Sequence, residues 1–421
     1  MRNKLLNISR DIFFLLILLL PINLGLHFEI VDSYVWGVLI DYLIPTLYIQ
    51  DILVVLILLL WILSGGLKRI FSSSSDLFNR SDFRISILFI FSIFLSVLVS
   101  IRFIPSLYSF IRMFLYFILY IYILVEIPIE DYFFRILNLF SISIIFLSIL
   151  SIAQFINKGS VFNNYLIFGE QPYSASTFQI TKKFVFGKTL IPAYGLFRHP
   201  NIFGGYLSLL LIWVFTFIKR NRYYLLVFIL GCVSLFFTFS FVSWAVFIIG
   251  ILLHYFYLKN PRKIVTKKKA SVIIVFLFSL IIMFLPFLKI FNKSDDPSIS
   301  RRINFANASY RMIKDYPLFG VGWNNSTVLM DEYNYDTADI RFVQPVHNIF
   351  LLVLSESGVF SFLLFIAFIY TISKRLINSS YFHLFLISFL QILLLGSFDH
   401  YFLTINQTLL LFWILLGFAS Q

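Results

Sequence analysis

Long apolar runs constrain the fold of this chain most strongly. A helix needs about 20 apolar residues to cross a hydrocarbon core of about 30 Å, and the chain offers about twelve runs of roughly that length. The runs are continuous, whereas strands of a membrane barrel alternate with a period of two. We therefore predict an all-α polytopic membrane protein, since helices satisfy their backbone hydrogen bonds internally. The predicted spans lie near residues 11–30, 43–64, 85–103, 106–127, 136–156, 202–218, 224–240, 243–258, 271–291, 348–373, 380–398 and 401–420.

Composition excludes a water-soluble fold. The chain is 60% hydrophobic and 13% charged, so too few polar residues remain to cover a soluble surface. The first run has no small-residue cleavage site and precedes many others, so we expect a retained helix and not a signal peptide. Cys232 is the single cysteine, which excludes an intrachain disulfide.

Basic residues predict the orientation. If the spans alternate, the basic segment before the first span and three basic loops fall on one side, and excess Lys and Arg marks the cytoplasmic side. Both termini are then cytoplasmic. The net charge of +13 reflects this signal and attraction to anionic lipid; it is spread over loops, which does not favour nucleic-acid binding. The basic positions are Arg2, Lys4, Arg10, Lys68, Arg69, Arg80, Arg84, Lys219, Arg220, Arg222, Lys259, Arg262, Lys263, Lys267, Lys268 and Lys269.

Two long polar segments fall on the outer side in this topology. We predict one transmembrane domain, 1–421, with external loops at about 157–200 and 292–346, and a short helix over 309–316. Cysteines placed at Ser160 and Ser326 are expected to react with a membrane-impermeant reagent.

Basic and titratable side chains gather where these loops meet the membrane. An ionisable group at a membrane rim indicates function, and the arginine fork suits phosphate oxygens. We therefore predict a site for a lipid diphosphate there. Its candidate residues are Arg198, His199, Arg301, Arg302, Arg311 and His347.

These residues also lie in motifs with a family resemblance. Ser300-Arg301-Arg302, the run from Arg311 to Gly322, and His347-Asn348 with Glu356-Ser357-Gly358 resemble the signature of the O-antigen ligase and O-antigen polymerase family. The run from Gly195 to Asn201, followed by Gly204 and Gly205, is similar to an upstream element of that family. The resemblance spans roughly 190–410 and implies a glycosyltransferase of the multi-spanning C class in the bacterial inner membrane.

The resemblance places two catalytic roles. The family's loop arginine falls on Arg302, fifteen positions before Pro317, and its histidine falls on His347. One element departs: Thr238-Phe239-Ser240-Phe241 lacks the family's arginine, for which Arg198 and Arg301 are candidate replacements.

The implied reaction transfers a glycan from undecaprenyl diphosphate to an acceptor hydroxyl at the outer face. Arg302 would meet the charge of the leaving diphosphate, and His347 would accept the acceptor's proton. We expect the pKa of His347 to be displaced from about 6.5 by nearby arginines. The acceptor, a lipid, a second glycan or a protein, stays open.

Several alternatives remain at this level. His347 could merely cap a helix, Arg302 could be a surface charge, and Asp399 with His400 could be a structural pair. A flippase or another transporter would also suit twelve spans, although transporters place polar groups near the midplane; a purely structural scaffold would leave the outer cluster unexplained. We expect no cofactor, because no nucleotide loop is present, and no metal, because the acids Asp331, Glu332, Asp336 and Asp339 lack ligand spacing.

Overall fold

The computed structural model describes residues 1–421 apart from 73, 179, 186, 260–296, 335–342 and 377–380. The described residues are mostly α-helical. The helices are Arg2–Leu19, Ile49–Leu63, Gly66–Ser72, Ser74–Asn79, Ser81–Leu98, Phe103–Glu126, Ile129–Asn157, Pro200–Thr216, Arg222–Phe237, Phe241–Lys259, Pro297–Asp315, Ser326–Tyr333, Ile349–Arg375, Phe382–Phe398, Tyr401–Thr404 and Asn406–Ala419.

Short strands lie only between helices in the described parts. They form three antiparallel pairs, and two 3₁₀ turns, Val31–Ser33 and Asp41–Leu43, accompany them. The pairs are Gly25–His27 with Thr46–Tyr48, Tyr34–Val35 with Val38–Leu39, and Lys183–Val185 with Lys188–Leu190.

The helices confirm an all-α membrane protein. Among the described residues, four are long and apolar enough to cross a bilayer: Ser81–Leu98, Phe103–Glu126, Ile129–Asn157 and Ile349–Arg375. Six shorter apolar helices of 10–17 residues accompany them. The span predicted near 271–291 lies outside the described residues, and the total of about twelve stays a prediction.

The first predicted span, 11–30, is helical only to Leu19. Pro21 lacks an N–H and cannot donate the next helical hydrogen bond, although Leu20 before it still has helical backbone angles. The buried Gln50 side chain donates to the carbonyls of Leu19 and Leu20 at 3.1 and 3.2 Å, which satisfies the exposed helix end. Apolar length therefore overstates helix length here.

The described part of the second segment that was predicted to be external, 292–346, contains more helix than expected. A helix was expected over 309–316, but Pro297–Asp315 is helical and ends just before Pro317. Ser326 starts a further helix and is buried, and Ser160 in the first segment is also buried. Both are therefore poor positions for the labelling cysteines, which need a solvent-accessible site.

A bend in helix Ile349–Arg375 anchors the loop that follows Pro317. Gly358 has φ of 75° there, a conformation that favours glycine, and the backbone on either side is left without helical partners. The loop supplies them: the N–H of Val321 donates to the Ser355 carbonyl at 3.0 Å, and that of Val359 donates to the Pro317 carbonyl at 2.9 Å. The Pro-Leu-Phe-Gly and Ser-Gly motifs therefore bind each other through backbone hydrogen bonds at this bend.

Glu356, in the same helix, binds this loop through its side chain. Its carboxylate accepts from the N–H of Asn324 at 2.9 Å and from the Ser326 hydroxyl at 2.7 Å. The buried carboxylate at the bend is thus satisfied by the loop that it holds, nine residues after His347 along the chain.

Arg112, inside helix Phe103–Glu126, pairs with Asp51, whose Oδ2 lies 2.9 Å from its Nη2. The pair ties the first half of that helix to helix Ile49–Leu63.

Candidate active site

Asn348 positions His347. It caps helix Ile349–Arg375, since its Oδ1 accepts from the N–H groups of Phe350 and Leu351 at 2.9 and 3.1 Å. Its Nδ2 donates to the carbonyl of Ser397 at 3.1 Å. That bond brings the end of helix Phe382–Phe398, and with it the next two residues, beside His347.

Those two residues are Asp399 and His400, and with His347 they form one cluster. One ligand atom from each lies within 4.8 Å of the others. The rings of His347 and His400 meet edge to face with centroids 5.1 Å apart. Asp399 Oδ1 accepts from the N–H of His400 at 2.9 Å and lies 3.9 Å from its Nε2.

His347 retains an unused nitrogen. Its Nδ1 is buried and has no hydrogen-bond partner among the described residues, whereas the corresponding nitrogen of His400 bonds the Thr404 hydroxyl at 2.7 Å. Buried polar atoms are normally paired. An unpaired imidazole nitrogen in a charged cluster therefore indicates a position for a ligand group.

Helix Pro297–Asp315 brings Arg302 to the cluster. Phe305, one turn later on the same face, stacks on His347 with ring centroids 6.1 Å apart and planes 5° from parallel. Arg302 makes no hydrogen bond or ion pair with any residue that the structure describes, but it lies near enough to lower the pKa values of His347, His199 and Asp399. Its charge is therefore available to an anion.

Two other predicted arginines of this helix are placed differently. Arg311 lies nine residues after Arg302, half a turn out of phase, and its Nη1 donates to the Tyr333 carbonyl at 2.8 Å. The structure does not bring Arg311 to the cluster. Arg301 lies beside Arg302 and is half-buried.

The upstream motif contributes His199 to the cluster. His199 caps helix Pro200–Thr216, since its Nδ1 accepts from the N–H of Asn201 at 3.1 Å, and its Nε2 bonds the Thr181 hydroxyl at 3.0 Å. The adjacent Arg198 points elsewhere: its Nη2 donates to the Tyr48 hydroxyl at 3.0 Å and lies 3.4 Å from His27 Nε2. Arg198 therefore lines a neighbouring polar recess.

Burial keeps these histidines neutral. The pKa of His347 is lowered to about 3, mainly by burial; Asp399 acts in the opposite direction, and His400, Arg302 and His199 add to the lowering. Burial likewise lowers the pKa of His199 to about 4. The predicted displacement of the His347 pKa is confirmed in direction, but burial and not arginine charge is its main cause.

Asp399 is the electrostatic centre of the cluster. Burial by itself would raise its pKa, yet the pKa is lowered because the imidazoles of His347, His400 and His199 and the guanidinium of Arg302 face it. Sequence reasoning gave Asp399 a structural role, since the fifty residues between Asn348 and Asp399 hide its proximity to Asn348 and His347. The available signal was its position beside His400 at the outer end of a predicted span.

Lys183 is the second residue that the sequence reasoning missed. Phe241, at the position of the missing arginine, lies under the Lys183 ammonium, with Nζ 5.5 Å from the ring centroid. Thr181, two residues earlier, bonds His199, and Lys183 also lowers the pKa of His199. A lysine from the hairpin Lys183–Leu190 thus stands beside the position where Arg198 and Arg301 were candidates.

The donor set of His347, Asp399 and His400 also resembles a metal site. Two imidazoles and a carboxylate suit a transition metal, and this is the one such group found among the described residues. Arg302 supplies a permanent positive charge to the same group, which would oppose a cation. Of the acids considered from sequence, Asp336 and Asp339 lie outside the described residues.

Comparison with known proteins gave one match. Residues 225–366, about a third of the chain, match the model of the O-antigen ligase family. No curated protein and no solved structure matches the chain. The matched segment contains Arg302, His347, Asn348 and Glu356, so the resemblance to the O-antigen ligase family that the motifs indicated is confirmed over this segment.

Proposed function

We propose that this protein transfers a glycan from a lipid diphosphate to an acceptor hydroxyl at the outer face of the bacterial inner membrane. The observation that carries the proposal is the convergence of Arg302, His347, His199 and Asp399 from four separate segments. The match of residues 225–366 to the O-antigen ligase family supports a lipid-linked glycan donor and an acceptor in the membrane.

Arg302 and Lys183 are proposed to hold the donor diphosphate. Each comes from a different external segment, and neither forms an ion pair with a carboxylate in the described part of the chain. Fixed cations stabilise a diphosphate leaving group most when its charge grows in the transition state. Lys183 would replace the arginine absent at Phe241, with a point charge in place of a planar fork.

His347 is proposed to accept the proton of the acceptor hydroxyl. The acceptor oxygen forms a bond to the anomeric carbon, the bond from that carbon to the diphosphate oxygen breaks with its electron pair, and the hydroxyl proton passes to the imidazole. The free ring is neutral, as a base must be. Donor binding brings negative charge that offsets Arg302, which raises the pKa of His347 towards a useful value.

Asp399 is proposed to stabilise the imidazolium that forms on His347. Its carboxylate lies within 4.8 Å of a ring nitrogen of His347, so it attracts the positive charge that the proton brings to the ring. Asp399 is thus a positioning and electrostatic residue for His347.

The proposed function is tested with purified protein and an undecaprenyl-diphosphate glycan. We expect transfer to lipid, glycan or protein acceptors to require Arg302 and His347, and to persist in the presence of a chelator. Movement of the intact donor across vesicle membranes without any transfer product would contradict the proposal and favour a flippase.

The outer placement is tested by cysteine labelling in a Cys232→Ser background, which removes the single native thiol. Ser176 and Lys314 are exposed and replace the buried positions considered from sequence. Cysteines there should react with an impermeant reagent in intact spheroplasts. Protection of both until lysis would overturn the topology.

A further inference from the structure

A basic cavity lies at the opposite end of the helix bundle from the imidazole cluster. Helix Ile349–Arg375 starts beside His347 and, at 1.5 Å per residue, runs for about 40 Å. An open cavity of about 820 Å³ is lined by the last turn of this helix, by the end of helix Phe103–Glu126 and by the segment 77–82. That volume falls within the usual range for ligand sites.

Positive charge exceeds negative charge on the walls of this cavity. Arg80, Lys374 and Arg375 line it with a single carboxylate, Asp82. Arg80 forms an ion pair with that carboxylate, and its Nη2 lies 2.6 Å from Asp82 Oδ2.

The other two cations have no carboxylate partner in the described residues. Arg375 donates through Nε to the Ser420 carbonyl at 3.3 Å, which leaves its terminal nitrogens for other acceptors. The Lys374 ammonium lies 4.8 Å from the centroid of the Tyr370 ring. The favourable effect of cations at a helix C-terminus accounts for their presence in the last turn, but it does not account for an open cavity beside them.

The rest of the lining is mixed. Asn79, Ser81 and Thr371 are polar, whereas Leu77, Leu124 and Val125 are apolar, so one space offers both charge and some hydrocarbon contact. Basic pockets between transmembrane helices on the cytoplasmic side commonly bind anionic lipid head groups. A soluble anion would use the cations and leave the apolar wall unused.

We propose that this cavity binds the phosphate of an anionic phospholipid through Lys374 and Arg375, with the start of its acyl chains against Leu124 and Val125. The site is independent of glycan transfer. It would fix the bundle at the head-group level of the inner leaflet in the predicted topology.

Native mass spectrometry of the detergent-purified protein tests this site, with phosphatidylglycerol and phosphatidylcholine as probes. We expect wild type to retain phosphatidylglycerol in preference. The variant Lys374→Gln/Arg375→Gln should bind it about thirtyfold more weakly, since each cation near a membrane surface contributes roughly 1 kcal/mol. The matched control Lys68→Gln/Arg222→Gln removes two exposed cations that do not line the cavity and should leave binding unchanged.

Equal loss of binding in both double variants would overturn the site in favour of diffuse surface charge. Displacement of phosphatidylglycerol by glycerol phosphate at similar concentrations would overturn the lipid assignment and indicate a soluble anion. The charge-retaining variant Arg375→Lys, combined with wild-type Lys374, should keep most binding, which separates lost charge from misfolding.

Discussion

Replacing Asp399 with asparagine removes one charge from the cluster and leaves its shape almost unchanged. The amide oxygen can still accept from the N–H of His400, a bond of 2.9 Å in the native chain. Insertion and folding should therefore resemble wild type. The change acts on the imidazolium that forms on His347 during transfer.

The size of the effect follows from the distance. Two unit charges 4.8 Å apart, the largest separation within the cluster, interact by roughly 3 kcal/mol at an effective dielectric constant near 20. Because the substitution removes this interaction only in the transition state, we expect kcat to fall by about a hundredfold. KM should change little, because the neutral ring of the free enzyme does not need the carboxylate.

Steady-state transfer by purified protein measures both constants. Asp11→Asn is the control, since Asp11 pairs with Arg135 at 3.1 Å on the exposed surface, where ion pairs contribute little. A kcat for Asp399→Asn within threefold of wild type would refute the electrostatic role. A rise in KM with unchanged kcat would instead indicate that Asp399 shapes donor binding.

Three further predictions concern the cations and the histidine. Arg302→Lys should lose most transfer although its charge is kept, because an ammonium cannot form the bidentate fork; near-normal turnover would remove Arg302 from diphosphate binding. Lys183→Met should raise the donor KM by about tenfold, whereas Lys188→Met on the paired strand should not; equal effects would sink the assignment. Since the folded pKa of His347 is about 3, below the unfolded value near 6.5, the neutral ring stabilises the fold above pH 6.5 and this contribution is lost as pH falls. Thermal unfolding from pH 7 to 5 should then lose stability more steeply in wild type than in His347→Gln, and equal slopes would contradict the buried neutral ring.

Periodicity and composition predicted the fold class, because hydrocarbon thickness imposes one length on every spanning helix. They failed where polar contacts decide where an element ends. Helix Arg2–Leu19 ends early because Gln50, distant in sequence, satisfies its carbonyls. Helix Pro297–Asp315 begins well before the expected 309–316. Its sequence is polar and has no strong apolar period, so the local pattern does not reveal it. The contact that supports it, the stacking of Phe305 on His347, is long-range.

The motifs predicted part of the candidate site. Arg302, His347 and His199 converge as local patterns around Pro317, Asn348 and Pro200 indicated. Asp399 and Lys183 were missed because their roles depend on long-range contacts, one through Ser397 and Asn348 and one through Thr181 and His199. Arg311 was included because it opens the motif Arg311–Gly322 and has a suitable side chain, but helix phase turns it away from the cluster.

Single-turnover transfer by His347→Ala, with saturating undecaprenyl-diphosphate glycan, measures directly whether His347 acts as the base. The protein should insert and bind donor as wild type does, because Asn348 and Arg302 are unchanged. Transfer should fall by at least about a hundredfold, the usual contribution of a positioned base. Transfer at the wild-type rate, with donor bound equally well, would contradict a catalytic role for His347.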